Sequence, residues 1–201
     1  MRPNAKLNSP ACERNKEPLM EVLSPYLQEK MKILEIASGT GQHGFYFTSR
    51  FPHITWQPTD VDEDALASIA AWKQEAGENL SDPFYLSCLE EQNWPEPESF
   101  DFILNCNMIH ISPWETCIGL MKHGSKVLKK GGMLALYGPF FHDMHAPEPS
   151  NLSFNESLKS RDSQWGIRQL TDVIAVANDH GFTLEKTIPM PANNMVNLFS
   201  L

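Results

Sequence analysis

The chain has 201 residues, 41% apolar and 20% charged, which suits one globular domain with a sizeable core. Its formal charge is −9 and its isoelectric point about 5.2, so its surface repels phosphate backbones and long nucleic acids are poor candidate partners, the short basic clusters 14–16 and 126–130 aside. No run nears the roughly 18 uninterrupted apolar residues of a membrane span. The first ten residues are polar and carry neither an apolar secretory core nor an Arg-rich transit pattern. The expectation is a cytoplasmic protein that acts on a small molecule or peptide away from membranes. The four cysteines, Cys12, Cys88, Cys106 and Cys117, form no Cys-x-x-Cys pair and match no zinc spacing. They read as reduced thiols.

In chain order, apolar residues at Leu19, Met20, Leu23, Tyr26 and Leu27 predict an amphipathic helix over 17–26, with Arg14 and Asn15 ahead of it. The run 31–37 is short and apolar, ends in a glycine-rich turn and reads as a central strand. A helix over 43–51, stopped by Pro52, follows. Residues 54–58 form a second strand and 62–76 a second such helix before Gly77. Weaker evidence marks a third strand at 84–88, and strong apolar runs mark strands at 100–106 and 133–138. A long helix over 113–130 is expected to stop at the Gly131-Gly132 pair, where glycine supplies a left-handed cap. Residues 139–166, rich in proline, asparagine and serine and without periodicity, read as a long functional loop, a lid. A helix over 170–180 and strands at 182–188 and 196–201 close the chain. A connection as short as Pro191-Ala-Asn-Asn194 forces those two strands to be antiparallel. Strands alternating with helices predict an α/β doubly wound sheet in a single domain, 1–201, with a helical cap over 1–30.

Glycines in Glu35-Ile-Ala-Ser-Gly39-Thr-Gly41-Gln-His-Gly44 let backbone approach a ligand between the first strand and its helix. Asp60 follows Gly41 at about the 20-residue spacing of an acid that binds ribose hydroxyls. Two cofactors compete for this pattern. Gly39, Gly41 and Gly44 satisfy the nicotinamide fingerprint G-x-G-x-x-G. Glu35, however, sits four residues before Gly39. A carboxylate there opposes a pyrophosphate and suits the ammonium and ribose side of S-adenosylmethionine.

Further stretches are Glu13-Arg-Asn-Lys16, Trp56-Gln-Pro-Thr-Asp60, Asn107-Met-Ile-His-Ile111 with Pro113-Trp114, Tyr137-Gly-Pro-Phe140, Trp165-Gly-Ile-Arg168 and Met190-Pro-Ala-Asn-Asn194. With Leu34-Glu-Ile-Ala-Ser-Gly-Thr-Gly-Gln-His43, they resemble class I S-adenosylmethionine-dependent methyltransferases. Within that superfamily the chain is similar to a small methyltransferase-like family of unassigned substrate, whose members carry Glu-Arg-Asn-Lys near the start. The resemblance implies a Rossmann-like, mostly parallel seven-stranded sheet with an antiparallel final strand. It implies that Glu35, Gly39 and Gly41 shape the cofactor loop and that Asp60 holds the ribose. Ser87-Cys88 stands where the family often has an acid or amide near the adenine, and Ser87 can still hydrogen-bond there.

Methyl transfer needs an acceptor held in line and, for some acceptors, a base. His110, just past the fourth strand, is either that base or a brace for its loop. Asn107 orients a ligand or fixes a turn, and Tyr137 donates into the pocket or is core. By resemblance Arg14 and Asn15 close over a carboxylate; on chemistry alone they are solvated surface. Asn193 and Asn194 are substrate contacts or turn formers. Trp94, Trp114 and Trp165 line a pocket or anchor loops. His142 and His145 make a His-x-x-His pair without a third obvious ligand, so no metal is expected. Asn105-Cys-Asn-Met108 lacks both prolines of an Asn-Pro-Pro-aromatic signature, which disfavours nucleobase amines as acceptors. Two other readings stay open: a cofactor-binding protein without catalysis, and a nicotinamide oxidoreductase resting on Gly44.

Overall fold

The computed structural model describes residues 6–142 and 146–201. The first helix, α1 (Pro10–Leu23), begins where Ser9 caps it: the Ser9 hydroxyl accepts from Cys12 N–H, and Pro10 supplies a preset first turn. Arg14 and Asn15 therefore lie inside this helix, not ahead of it. Asn15 turns inward and is buried, whereas Arg14 is exposed.

The remaining elements are β1 (Lys32–Ile36), α2 (Gln42–Thr48), β2 (Thr55–Asp60), α3 (Glu63–Lys73), β3 (Phe84–Tyr85), β4 (Phe100–Cys106), α4 (Trp114–Val127), β5 (Leu128–Gly138), β6 (Phe140–Phe141), α5 (Pro149–Arg161), β7 (Arg168–Gln169), α6 (Leu170–Asp179), β8 (Thr183–Met190) and β9 (Asn194–Ser200). Seven strands form one sheet in the order β3-β2-β1-β4-β5-β9-β8. Strands β1 to β5 run parallel, and β9 is antiparallel to both β5 and β8. The expected antiparallel closing pair is present. A two-stranded sheet of β6 and β7 lies apart from the main one.

One face is covered by α1 and α2, through Leu19, Leu23 and Phe47 packed with Trp56 and Leu198. The other is covered by α4 and α6, through Leu120, Met121 and Val173 with Ile103 and Phe199. Each such fully buried side chain contributes about 1.5–3 kcal/mol. Gly44 fits this packing: a Cβ there would stand 3.0 Å from both Trp56 and Leu80. Its place in G-x-G-x-x-G is thus explained by helix–strand contact.

Two further expectations are corrected. The long helix ends at Val127, because Leu128 turns extended and enters the sheet. Gly131-Gly132 instead form a bulge in β5, between Leu128 opposite Phe100 and Met133 opposite Phe102, with Gly131 left-handed at φ 74°. Segment 139–166 is not a structureless loop, since it contains β6 and the whole of α5. Among the described residues no helix is long and apolar enough to cross a membrane.

Candidate active site

The carboxyl ends of parallel strands and the crevice above them are where doubly wound sheets bind ligands. Asp60 ends β2 and is 7% exposed. Its Oδ2 accepts from Gly39 N–H (2.8 Å), and Oδ1 accepts from Val61 N–H (2.8 Å) and Asp62 N–H (3.0 Å). Three backbone donors fix this carboxylate and leave acceptor capacity on Oδ2. Gly39 is left-handed at φ 57° and exposed, and no atom lies within 4 Å of where its Cβ would stand. Gly41 is the opposite case: at φ 85°, a Cβ would meet the Ile69 backbone at 2.9 Å. One glycine leaves room for a ligand; the other lets α3 close on the loop. Ser87, after β3, is buried and accepts from Leu89 N–H (3.2 Å).

Glu35 does not face open space. It is 1% exposed, and its Oε2 accepts from Trp56 Nε1 (2.9 Å) while Oε1 lies 3.4 Å from His43 Nδ1. His43 Nε2 in turn meets Asn15 Oδ1 at 2.8 Å, and the Tyr137 phenol also faces Asn15. Burial works against the His43 imidazolium, but the Cys106 and Cys12 sulfurs and the Glu35 carboxylate outweigh it. They hold the His43 pKa well above the ordinary histidine value. Burial raises the Cys106 thiol despite the opposing pull of His43, and burial likewise keeps Tyr137 protonated. This network clamps α1 onto the glycine loop. Gln42 adds to the clamp, accepting from Ser9 N–H and donating to Glu13 (2.6 Å). His43 was within reach of sequence reading, because it closes the glycine motif, but nothing in the sequence paired it with Glu35.

On the other half of the edge, Asn107 follows β4 in a left-handed turn (φ 63°), its N–H bonded to Tyr137 O (2.8 Å). The next turn brings His110 under Phe140, ring centroids 4.9 Å apart and nearly perpendicular. A Cβ on Gly138 would stand 2.7 Å from His110 Nε2 and 3.1 Å from Asn107 Oδ1, so that glycine admits both side chains. His110 is 1% exposed, and among the described residues neither ring nitrogen has a hydrogen-bond partner. Burial, assisted by the Arg168 guanidinium, lowers its pKa to about 3.

Arg168, quoted above only as part of a motif, organises this turn. It donates to Ile109 O (2.9 Å), Ser112 O (2.7 Å) and Gln164 O (2.9 Å). Asn193 and Asn194 sit at the β8–β9 turn, on the same edge of the sheet because Met195 pairs with Gly138. Asn193 Nδ2 donates to Ser150 Oγ (2.9 Å), and Asn193 O accepts from Asn151 (3.2 Å), which ties the turn to α5. Asn194 donates to its own turn, at Pro191 O and Ala192 O. His142 Nε2 meets the Met195 sulfur (2.8 Å), while His145 lies outside the described residues.

A neutral buried His110 has a pH signature. Its folded pKa is below the unfolded value of about 6.5, so its contribution is complete above that value and is lost as pH falls toward 3. By pH 5 the loss is about 2 kcal/mol. Urea unfolding at pH 6.5 and 5 is expected to show this extra loss in the wild type and not in His110→Asn; parallel losses in the two proteins would contradict it. His43, shifted upward, acts in the other direction, its stabilisation being lost as pH rises above about 6.5.

Strand order with an antiparallel hairpin at one edge separates this sheet from the 3-2-1-4-5-6 order of dinucleotide folds. It is the fold of the class I S-adenosylmethionine-dependent methyltransferases. A candidate sarcosine dimethylglycine methyltransferase from Galdieria sulphuraria matches with a TM-score of 0.74 at 16% identity, over 98% of this chain and 92% of that one. A candidate O-methyltransferase from Nostoc punctiforme matches with 0.82 at 16%, over 98% of this chain and 58% of the other. Human N-acetylserotonin methyltransferase, crystallised with S-adenosylmethionine, matches with 0.74 at 14%, over 94% and 52%. These likenesses are of fold. The chain itself belongs to the family described as "Protein of unknown function (DUF938)", whose model matches residues 6–200.

Proposed function

We propose that this protein transfers a methyl group from S-adenosylmethionine to a small-molecule or peptide acceptor. The observation that carries this reading is the Asp60 carboxylate, fixed by three backbone N–H groups beside the open face of Gly39. That donor set fits a ribose better than a phosphate, since a carboxylate accepts from hydroxyls and repels anions. Asp60 would accept from the ribose, and the Gly39–Gly41 backbone would lie along the methionine chain. Ser87 would donate to the adenine edge. Val61 and Leu89, 54% and 57% exposed beside Asp60 and Ser87, would give the base apolar cover. Glu35 would serve from beneath, holding His43 and Trp56 and so the shape of the loop.

When bound, S-adenosylmethionine supplies an electrophilic methyl group on a sulfonium. The chain's part is then to align an acceptor and exclude water. Asn107 and the Tyr137 phenol, at the ends of β4 and β5, would orient that acceptor, with Arg14 and Asn15 closing from α1. With a pKa near 3, His110 holds a proton too weakly to serve as a base at neutral pH. It is a positioning residue, and the pH dependence of turnover should lack a histidine inflection near 6.5. Asn193 would hold α5 as a lid through Ser150 and Asn151, with Asn194 stiffening the turn.

A second reading, cofactor binding without turnover, is favoured by one feature: the polar groups of the Glu35–His43–Asn15 network already have partners. Calorimetric titration with S-adenosylhomocysteine and with NADH tests the cofactor. Micromolar binding of the first and none of the second is expected. S-adenosylmethionine turnover with metabolite pools then separates the two readings. Binding without turnover on any pool would favour the non-catalytic one.

A further inference from the structure

Beside the cofactor half of the edge, a cavity of about 480 Å³ opens between β6, the start of α5 and the β8–β9 hairpin. This is within the size range of small-molecule sites. Its body is apolar: Phe140, Phe141, Met190, Met195, Pro147 and Pro189. Phe140 is the same ring that stands edge-on to His110, and Met195 is paired with Gly138, so the cavity abuts the proposed point of methyl transfer. Thioethers and phenyl rings together favour a flat aromatic guest, because sulfur–ring contacts tolerate several poses.

Charge narrows the class further. Among the described lining residues the one carboxylate is Glu148, exposed at the mouth, and there is no lysine or arginine. The N-terminus of α5, which adjoins it, is a poor anion site. Pro149 has no N–H, and the Asn151 and Leu152 N–H groups are both bonded to Glu148 O. The other polar lining groups among the described residues are already engaged: the Asn151, Asn193 and Asn194 amides and the Thr187 hydroxyl donate within the protein, and His142 Nε2 meets the Met195 sulfur. A carboxylate or phosphate would therefore meet repulsion at Glu148 with little to offset it.

We propose that this cavity binds an aromatic amine, its ring against Phe141 and the methionines and its nitrogen toward Glu148. This rests on the methyl-transfer reading only in making that amine the acceptor; occupancy of the cavity is separately measurable. The probes are 1-naphthylmethylamine, 1-naphthalenemethanol and 1-naphthoate, which share a ring and differ in charge. They are titrated by ligand-observed NMR into the full chain, with and without saturating S-adenosylhomocysteine. The amine is expected to bind about fivefold tighter than the alcohol, and the alcohol about fivefold tighter than the naphthoate. Glu148→Gln, a surface change, should erase the first gap, Glu148→Lys should invert the order, and Phe141→Ala should weaken all three probes. Naphthoate binding as tightly as the amine, an order unmoved by Glu148→Lys, or no probe binding at millimolar concentration would each overturn the proposal. If S-adenosylhomocysteine fails to bind while the amine preference holds, the methyl-transfer reading falls and the cavity assignment stands.

Discussion

Asp60→Ala is expected to weaken S-adenosylhomocysteine binding by about 100-fold or more. A hydrogen bond between a hydroxyl and a charged carboxylate is worth about 1.5–3 kcal/mol, and Asp60 does more than meet a ribose. Its two oxygens also accept from Gly39, Val61 and Asp62, so alanine leaves three backbone donors without that acceptor and slackens the glycine loop at the same time. Asp60→Asn keeps one carbonyl oxygen and should fall between wild type and alanine. Calorimetry reads the affinity, and a thermal melt in the absence of ligand reads the loop contribution separately. Micromolar binding retained by Asp60→Ala would remove the observation on which the methyltransferase reading rests.

Gly119→Ala should be the most damaging of the Gly→Ala changes. Gly119 lies in α4, and a Cβ there would stand 1.9 Å from the Cys88 carbonyl oxygen, with the carbonyl carbon at 2.8 Å. The obstacle is backbone, not a side chain that can rotate away, so α4 or the segment after β3 must move by more than an ångström. Overpacking usually costs about 1–3 kcal/mol, and a backbone clash this deep is expected to reach the top of that range or pass it. The same displacement shifts Ser87, next to Cys88, so the surviving folded fraction should bind S-adenosylhomocysteine less tightly. Gly39→Ala is the useful contrast, because its Cβ meets no atom. Only the left-handed backbone strain at φ 57°, about 1–2 kcal/mol, should lower its melting temperature, so a smaller drop than for Gly119→Ala with impaired binding is expected there. Equal melts for Gly119→Ala and wild type would show that α4 does not pack on Cys88 as described.

Much of the sheet was legible because its strands carry their burial in their composition. β1 and β4 are covered on both faces, so they are nearly continuous apolar runs, and 100–106 was read with the bounds the strand has. The closing hairpin followed from connection length alone. Helices were read less well, since periodicity appears only where a helix buries an apolar stripe. α5 buries little beyond Asn151 and Leu158, so a proline- and serine-rich segment looked like a loop. The N-terminal half of α1 buries Asn15 against His43 where an apolar residue would mark a core face, which hid the start of Pro10–Leu23 behind polar residues and left Asn15 indistinguishable from Arg14.

The glycine loop, the acid at the end of β2 and the order of strands and helices could be read from the chain because each depends on neighbours in sequence: turn conformation, spacing and local burial. The Glu35–His43–Asn15 clamp could not, nor the enclosure of His110, the hold of Arg168 on the turn after β4, or the thioether cavity beside Phe140. Each joins segments tens of residues apart. The charge, exposure and proton affinity of those side chains depend on what the folded sheet brings against them, and no single segment carries that information.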